Sequence, residues 1–224
     1  RYQASMFRGF FLLEYMLTNG GFDWLTQTVS AAFGPIGIYR VLHHFFTGTA
    51  GIPRFLGFQQ EANCPMYKAW KSRDKALEAS PPEPRIGDEL LTKVMYDVAP
   101  YTYGTYDDLK DVLTSTRGDL TTVNHSEFFD LFEQDFGGKG VLDLLDENGV
   151  CIRERDGEVI EKTGLIALAG TLKEIRNRKI VRGSKVLCCL TSGTWAGDGR
   201  ARPEYRVSSL ENVVRDCHGM IYGG

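Results

Sequence analysis

The 224 residues carry a formal net charge of −3, with 42% hydrophobic and 25% charged side chains, which fits a globular protein with a buried core rather than a disordered or fibrous chain. That charge argues against a broad basic surface able to neutralise nucleic-acid phosphates. The longest apolar stretches, such as residues 6–16, are broken by Arg8 and Glu14, so nothing approaches the roughly 20 apolar residues of a membrane span.

Residues 5–17 place Met6, Phe7, Phe10, Phe11, Leu13 and Met16 at mixed three- and four-residue spacing, and Asn19-Gly20-Gly21 supplies a stop; this predicts a well-buried helix. Residues 24–29 follow as a strand. Ser30-Ala31-Ala32-Phe33-Gly34 then turns the chain into a helix opened by Pro35, because proline at the first helical position gives up an N–H that has no partner there. Ile38, Val41, Leu42 and Phe45 mark that helix's core face, and it ends by Thr47-Gly48. Residues 54–59 read as a buried strand, and Cys64-Pro65 opens a helix through Tyr67 and Trp70.

The alternation predicts an α/β fold, a mostly parallel twisted sheet with helices on both faces, since parallel neighbours need crossover helices. Residues 79–88, with three prolines, read as a surface connection. Beyond Tyr106 the expected elements are a helix over 107–114, a strand over 120–123 and a short helix over 126–132 capped at Ser126. A strong helix spans 161–176, and the continuous apolar run 185–190 predicts a central parallel strand between the strands at 24–29 and 54–59.

Five cysteines, Cys64, Cys151, Cys188, Cys189 and Cys217, form an odd set without C-x-x-C spacing, which points to reduced thiols and a cytoplasmic protein. His43 and His44 are adjacent and diverge on a helix, and no His/Cys/Asp/Glu set has zinc-ligand spacing. Neither the full G-x-G-x-x-G order nor a G-x-S-x-G elbow is present.

Two segments are suited to ligand chemistry. The turn from Ser30 to Gly34 delivers a strand into a helix whose first N–H groups lack partners, a cradle for a phosphate; small residues there also simply allow close packing of strand and helix. Thr191 and Ser192 follow the strand at 185–190, where hydroxyls reach ligands of open α/β sheets, or form an ordinary polar turn.

Taken in order, residues 28–37, 55–62, 65–70, 160–170 and 186–193 resemble the second half of threonine synthases and their relatives, the tryptophan synthase β-like pyridoxal-phosphate enzymes of fold type II. The resemblance covers residues 5–195 and implies that residues 1–195 are most of a large cofactor-binding domain, with 196–224 a carboxy-terminal extension. It implies that Ser30, Ala31, Ala32, Phe33 and Gly34 face the phosphate of pyridoxal phosphate. It also implies that Thr191 or Ser192 hydrogen-bonds the pyridine nitrogen, a neutral contact that suits elimination and replacement. The turn departs from the family in having Ala31, Ala32 and Phe33 where glycines and hydroxyl residues are usual.

The resemblance further implies that the lysine carrying the cofactor belongs to a segment upstream of Arg1; Lys68, Lys71 and Lys75 do not match that motif, so this chain by itself is expected to be inactive. The substrate implied is a small phosphorylated amino acid. The expected reaction is that of threonine synthase, O-phosphohomoserine to threonine and phosphate, with cysteate synthase, joining O-phosphoserine and sulfite, as the close rival. A non-catalytic relative that keeps the fold as a binding module is the alternative from another class, and a homodimer is left open.

Overall fold

In chain order α1 (Tyr2–Asn19) leads through β1 (Trp24–Thr28), α2 (Phe33–Phe45), β2 (Arg54–Gln60) and α3 (Pro65–Lys71) to α4 (Tyr106–Ser115) and β3 (Asp119–Val123). Then come α5 (His125–Phe129), α6 (Val141–Glu147), α7 (Lys162–Arg176) and β4 (Val186–Cys189). The computed structural model describes residues 2–46, 48, 51–73, 90–96, 105–150 and 162–191. The proline-rich 79–88 connection, Ser192 and the extension at 196–224 lie outside the described residues.

The described strands form one parallel sheet in the order β3-β2-β1-β4. Alternation along β1 sends its side chains to two different layers. Trp24 joins Leu56 and Phe58 of β2 in a core with Leu165, Ile166 and Ala169 of α7. The Thr26 and Thr171 hydroxyls hydrogen-bond at 2.8 Å on that side. On the other face Phe55 meets the ring of Tyr39 from α2. Tyr39 is fully buried, and its hydroxyl donates to the Pro53 carbonyl at 2.9 Å, which meets the requirement that a buried polar group find a partner.

The strand at the end of the chain is a correction. The apolar run 185–190 predicts a central strand, yet β4 pairs only with β1, at the edge of the described sheet, and all four of its residues are half-buried. The central places belong to β1 and β2, whose residues are buried except Arg54. An apolar run reports that both faces of a strand are covered; it carries no information on whether both edges are paired.

Three further differences are local. First, α1 is buried on one side only, through Leu12, Leu13 and Met16, while Phe7, Phe11, Tyr15 and Leu17 are exposed; its apolar residues run all round, so the spacing could not say which side packs. Second, α2 starts at Phe33 rather than Pro35, with Ala32 before it in the left-handed region at φ 57°. Proline is tolerated anywhere in a first turn, for the reason that makes it favoured at the first position. Third, Asn124, not Ser126, caps α5, exchanging hydrogen bonds with Glu127. The seven-residue α6 and the turn of 3-10 helix at Lys93–Met95 are too short to leave a periodic signal.

Close contact between α1 and α2 is made possible by glycine. A Cβ added at Gly37 would lie 2.5 Å from that of Ser5, and one at Gly9 would lie 2.8 Å from that of Val41. Gly37→Val must force the helices apart and is expected to cost about 2–3 kcal/mol by overpacking, read as a lower urea midpoint at unchanged slope.

Asp119 ties the far edge of the sheet together. Its carboxylate accepts from the Trp70 indole at 2.7 Å, from Lys71 at 2.8 Å and from Lys179. Burial acts to raise its pKa, but the hydrogen bonds from Lys179, Lys71 and Trp70 outweigh it and hold the group at about 2. A folded pKa below the ordinary value of about 3.9 means stabilisation that is complete above that value and lost as pH falls toward 2. Allowing for solvent screening, wild type should exceed Asp119→Asn by about 1–2 kcal/mol at pH 7. The gap should close between pH 5 and pH 2 in urea titrations; a gap independent of pH would show that the carboxylate charge contributes nothing.

Candidate functional site

From β1 the chain steps outward to β2 and β3, then returns through α7 to place β4 on the opposite side of β1. The helix after β1 lies on one face and the helix before β4 on the other. This reversal makes the carboxyl ends of β1 and β4 a topological switch point, the place where open α/β sheets bind ligands. Gln27 pairs in register with Cys189, so both strands leave the sheet at that same end. The segments that follow them are the two singled out from sequence.

The turn after β1 is rigidly anchored. The Val29 N–H donates to the Phe58 carbonyl at 2.7 Å, and the Val29 carbonyl accepts from the side-chain amide of Gln59 at 3.3 Å. The other end of that amide accepts from the Tyr67 N–H at 2.9 Å. Ser30 and Ala31 are half-buried, Ala32 is buried, and Phe33 and Gly34 form the half-buried first turn of α2. The Ser30 hydroxyl makes no hydrogen bond to the described residues.

Beside this turn opens a cleft of about 850 Å³ between α1, α2 and the β1–β4 pair. Its walls include Phe7, Phe11, Leu12 and Tyr15 from α1, Leu187 and Cys189 from β4, and, as polar groups, Arg8, Gln27 and Thr191. Thr191 is half-buried there. The phosphate-turn candidates do not line the cleft themselves, but Gly34 adjoins two residues that do: a Cβ at that position would lie 2.5 Å from Gln27 Nε2 and 3.4 Å from Arg8 Nη1. Thr191 thus shares the cleft with the two side chains that lie against Gly34. Ser192 lies outside the described residues.

Three residues of this site escape a sequence reading. Gln59 holds the turn, Gln27 is 5% exposed with its Oε1 unpartnered, and Arg8 comes from a helix that precedes the sheet altogether. A glutamine at a buried strand position is the signal that could have found the first two, because an amide there needs partners. Among the described residues no lysine stands in the cleft walls. Lys71 is ion-paired to Asp119 on the far side of the sheet, and Lys75 lies outside the described residues.

Charge in the cleft is sparse. Burial, reinforced by the neighbouring Cys188 and opposed by Arg8, pushes the Cys189 thiol up to about 12. Burial likewise raises Cys188, against hydrogen bonds from Thr26 and Thr171. Both are neutral thiols at physiological pH, and among the described residues the guanidinium of Arg8 is the formal charge in the walls.

No protein-family model matches the chain. Among curated proteins it is similar to the cysteate synthase of Methanospirillum hungatei JF-1, 23% identical over 188 residues, which is 82% of this chain and 40% of that protein. Among solved structures it resembles a threonine deaminase from T.th. (TM-score 0.54, 16% identity, 82% of this chain and 52% of that one). It also resembles a processed threonine deaminase of Solanum lycopersicum (TM-score 0.53, 10% identity, 96% and 49%) and maize serine racemase (TM-score 0.50, 13% identity, 94% and 52%). The chain spans about half the length of these solved proteins and less of the curated relative. Its architecture is the α/β fold of the pyridoxal-phosphate enzymes of fold type II, the tryptophan synthase β-like fold.

A neutral thiol is a poor nucleophile even when reagent can reach it. Iodoacetamide at pH 8 is expected to leave Cys189 unmodified in the folded chain and to alkylate it once guanidinium unfolds the protein, as peptide mapping would record. Labelling of the folded chain at the rate of a free thiol would contradict the environment described.

Proposed function

We propose that this chain forms the cofactor-binding part of a pyridoxal-phosphate-dependent enzyme that carries out elimination or replacement on a phosphorylated amino acid. The observation that carries the reading is that Thr191 shares one cleft with Arg8 and Gln27, the two side chains that lie against Gly34 in the first turn of α2. The residues suit the cofactor in three respects: a guanidinium and an amide close against Gly34 at the start of α2, an orphaned buried amide oxygen on the same glutamine, and largely apolar walls for a planar ring.

When bound, pyridoxal phosphate supplies an electron sink for bond breaking at the substrate's α-carbon. In this reading the first-turn N–H groups of α2 and the Ser30 hydroxyl hold its phosphate, helped by the positive end of the helix dipole. The Thr191 hydroxyl, or that of Ser192, meets the pyridine nitrogen and leaves it without a formal charge, which favours elimination and replacement. Phe11, Leu187 and Leu190 exclude water from the ring. The covalently linked lysine comes from outside this chain. A cysteate synthase type of reaction, phosphate leaving O-phosphoserine with sulfite taking its place, has the support of the curated relative. The threonine synthase type, in which phosphate leaves the γ-carbon and water adds at the β-carbon, draws on the same electron sink but does not have that relative behind it.

The longer protein containing this chain should release inorganic phosphate from O-phosphoserine when sulfite is present, and Gly34→Asp should lower that release at least about 100-fold by placing a charged side chain where the cofactor phosphate belongs. Borohydride reduction should trap the cofactor on one lysine outside residues 1–224. Turnover of O-phosphohomoserine alone would move the assignment to threonine synthase. Absence of any trapped lysine would favour a non-catalytic binding module.

A further inference from the structure

Taking the cofactor reading above as its basis, we propose that Arg8 is a phosphate-binding residue of this site, supplying from α1 the charge and donors that Ala31, Ala32 and Phe33 leave missing from the turn, with Gln27 as its partner. Arg8 makes no hydrogen bond or ion pair to the described residues, although it lines the cleft and its Nη1 lies 3.4 Å from the Cβ position at Gly34. Its placement is a product of the fold. Gly9 and Gly37 let α1 and α2 come close enough that the residue beside Gly9 reaches the first turn of α2.

Gln27 is the independent sign that something binds there. It is more than nine-tenths buried and lines the cleft, and its Oε1 meets no donor. Leaving such a group unmatched is costly unless a ligand completes it. A guanidinium has five donors in a planar fork and can satisfy a phosphate oxygen along one edge and an amide oxygen along another. With a phosphate monoester at the α2 terminus, Arg8 bridges it to Gln27 Oε1, and Gln27 Nε2, already against Gly34, donates to the same phosphate. The side chain of Arg8 is exposed, so turning it into this position disturbs no packing. The rest of the cleft gives the phosphate no competing cation among the described residues.

The chain should be titrated with pyridoxamine 5′-phosphate and with pyridoxamine, which lack an aldehyde and so read noncovalent binding alone, following ligand fluorescence and the phosphorus NMR shift. Wild type is expected to prefer the phosphorylated ligand. Arg8→Ala should weaken its binding about tenfold while leaving pyridoxamine unchanged, and Arg8→Lys should recover part of the loss, since lysine keeps the charge but not the fork. Wild-type preference persisting in full in Arg8→Ala would overturn the role of Arg8 and leave the cofactor reading intact, as would equal weakening of both ligands, which marks a structural effect. No preference in wild type would instead sink the cofactor reading itself. Gln27→Leu should reduce the preference as Arg8→Ala does, and the double variant should lose little more than either alone.

Discussion

The pairing of β4 with the free edge of β1 is the interaction on which the site depends. It joins residues 186–189 to residues 24–27 and so closes a loop of about 160 residues, in which β2, β3 and α2 through α7 are all inserted. Closing so long a loop has an entropic cost that rises slowly with length, and the compensation is distributed. The ladder itself, the Thr26–Thr171 hydroxyl pair and the packing of α7 over both strands all act on the same junction. The helices on either side of this junction lie on opposite faces of the sheet, and the first turn of α7 reaches the carboxyl ends of both strands, through Thr163 at Thr28 and Gly164 at Leu190. The cleft lies on the α1–α2 side of that junction.

Two buried glutamines show how this sheet divides polar duties. Gln59 is fully used, its amide holding Val29 on one side and the start of α3 on the other, and its work is to keep the turn after β1 in one conformation. Gln27, two residues before that turn, has nothing to hold. Within one parallel pair, then, the satisfied amide fixes the turn and the unsatisfied one belongs to a residue that lines the cleft. Unfilled hydrogen-bonding capacity in an otherwise apolar wall is a more specific mark of a binding site than the apolar volume alone.

The turn from Ser30 to Gly34 is poor in hydroxyl donors, and this has a physical consequence. A phosphate held mainly by backbone N–H groups is fixed in direction by the helix terminus but receives less neutralising charge than one ringed by side-chain donors. The chemistry proposed here tolerates such an arrangement where a cation is recruited from a neighbouring element, and the close α1–α2 crossing at Gly9 and Gly37 brings one near.

Local pattern was enough for the elements that have length and a one-sided code. The alternation of helix and strand, the β1–turn–α2 segment, the buried β2 and the amphipathic α7 follow from periodicity and from where glycine and proline interrupt it, because those features depend on neighbours within one or two turns of chain. The candidate positions Gly34 and Thr191 belong to the same category, lying in the segments that follow strands and so being readable from local sequence. What only the tertiary structure decided is of another kind. That β4 lies at the edge rather than the centre, that α1 turns Leu12, Leu13 and Met16 inward and leaves Phe11 out, and that Arg8 and Gln27 meet at Gly34 are all set by pairings between distant segments. A residue's sequence neighbours determine its periodicity, but its partners across a sheet or a helix crossing are chosen by which whole arrangement buries the most apolar surface with the fewest unmatched polar groups, and no local pattern encodes that comparison.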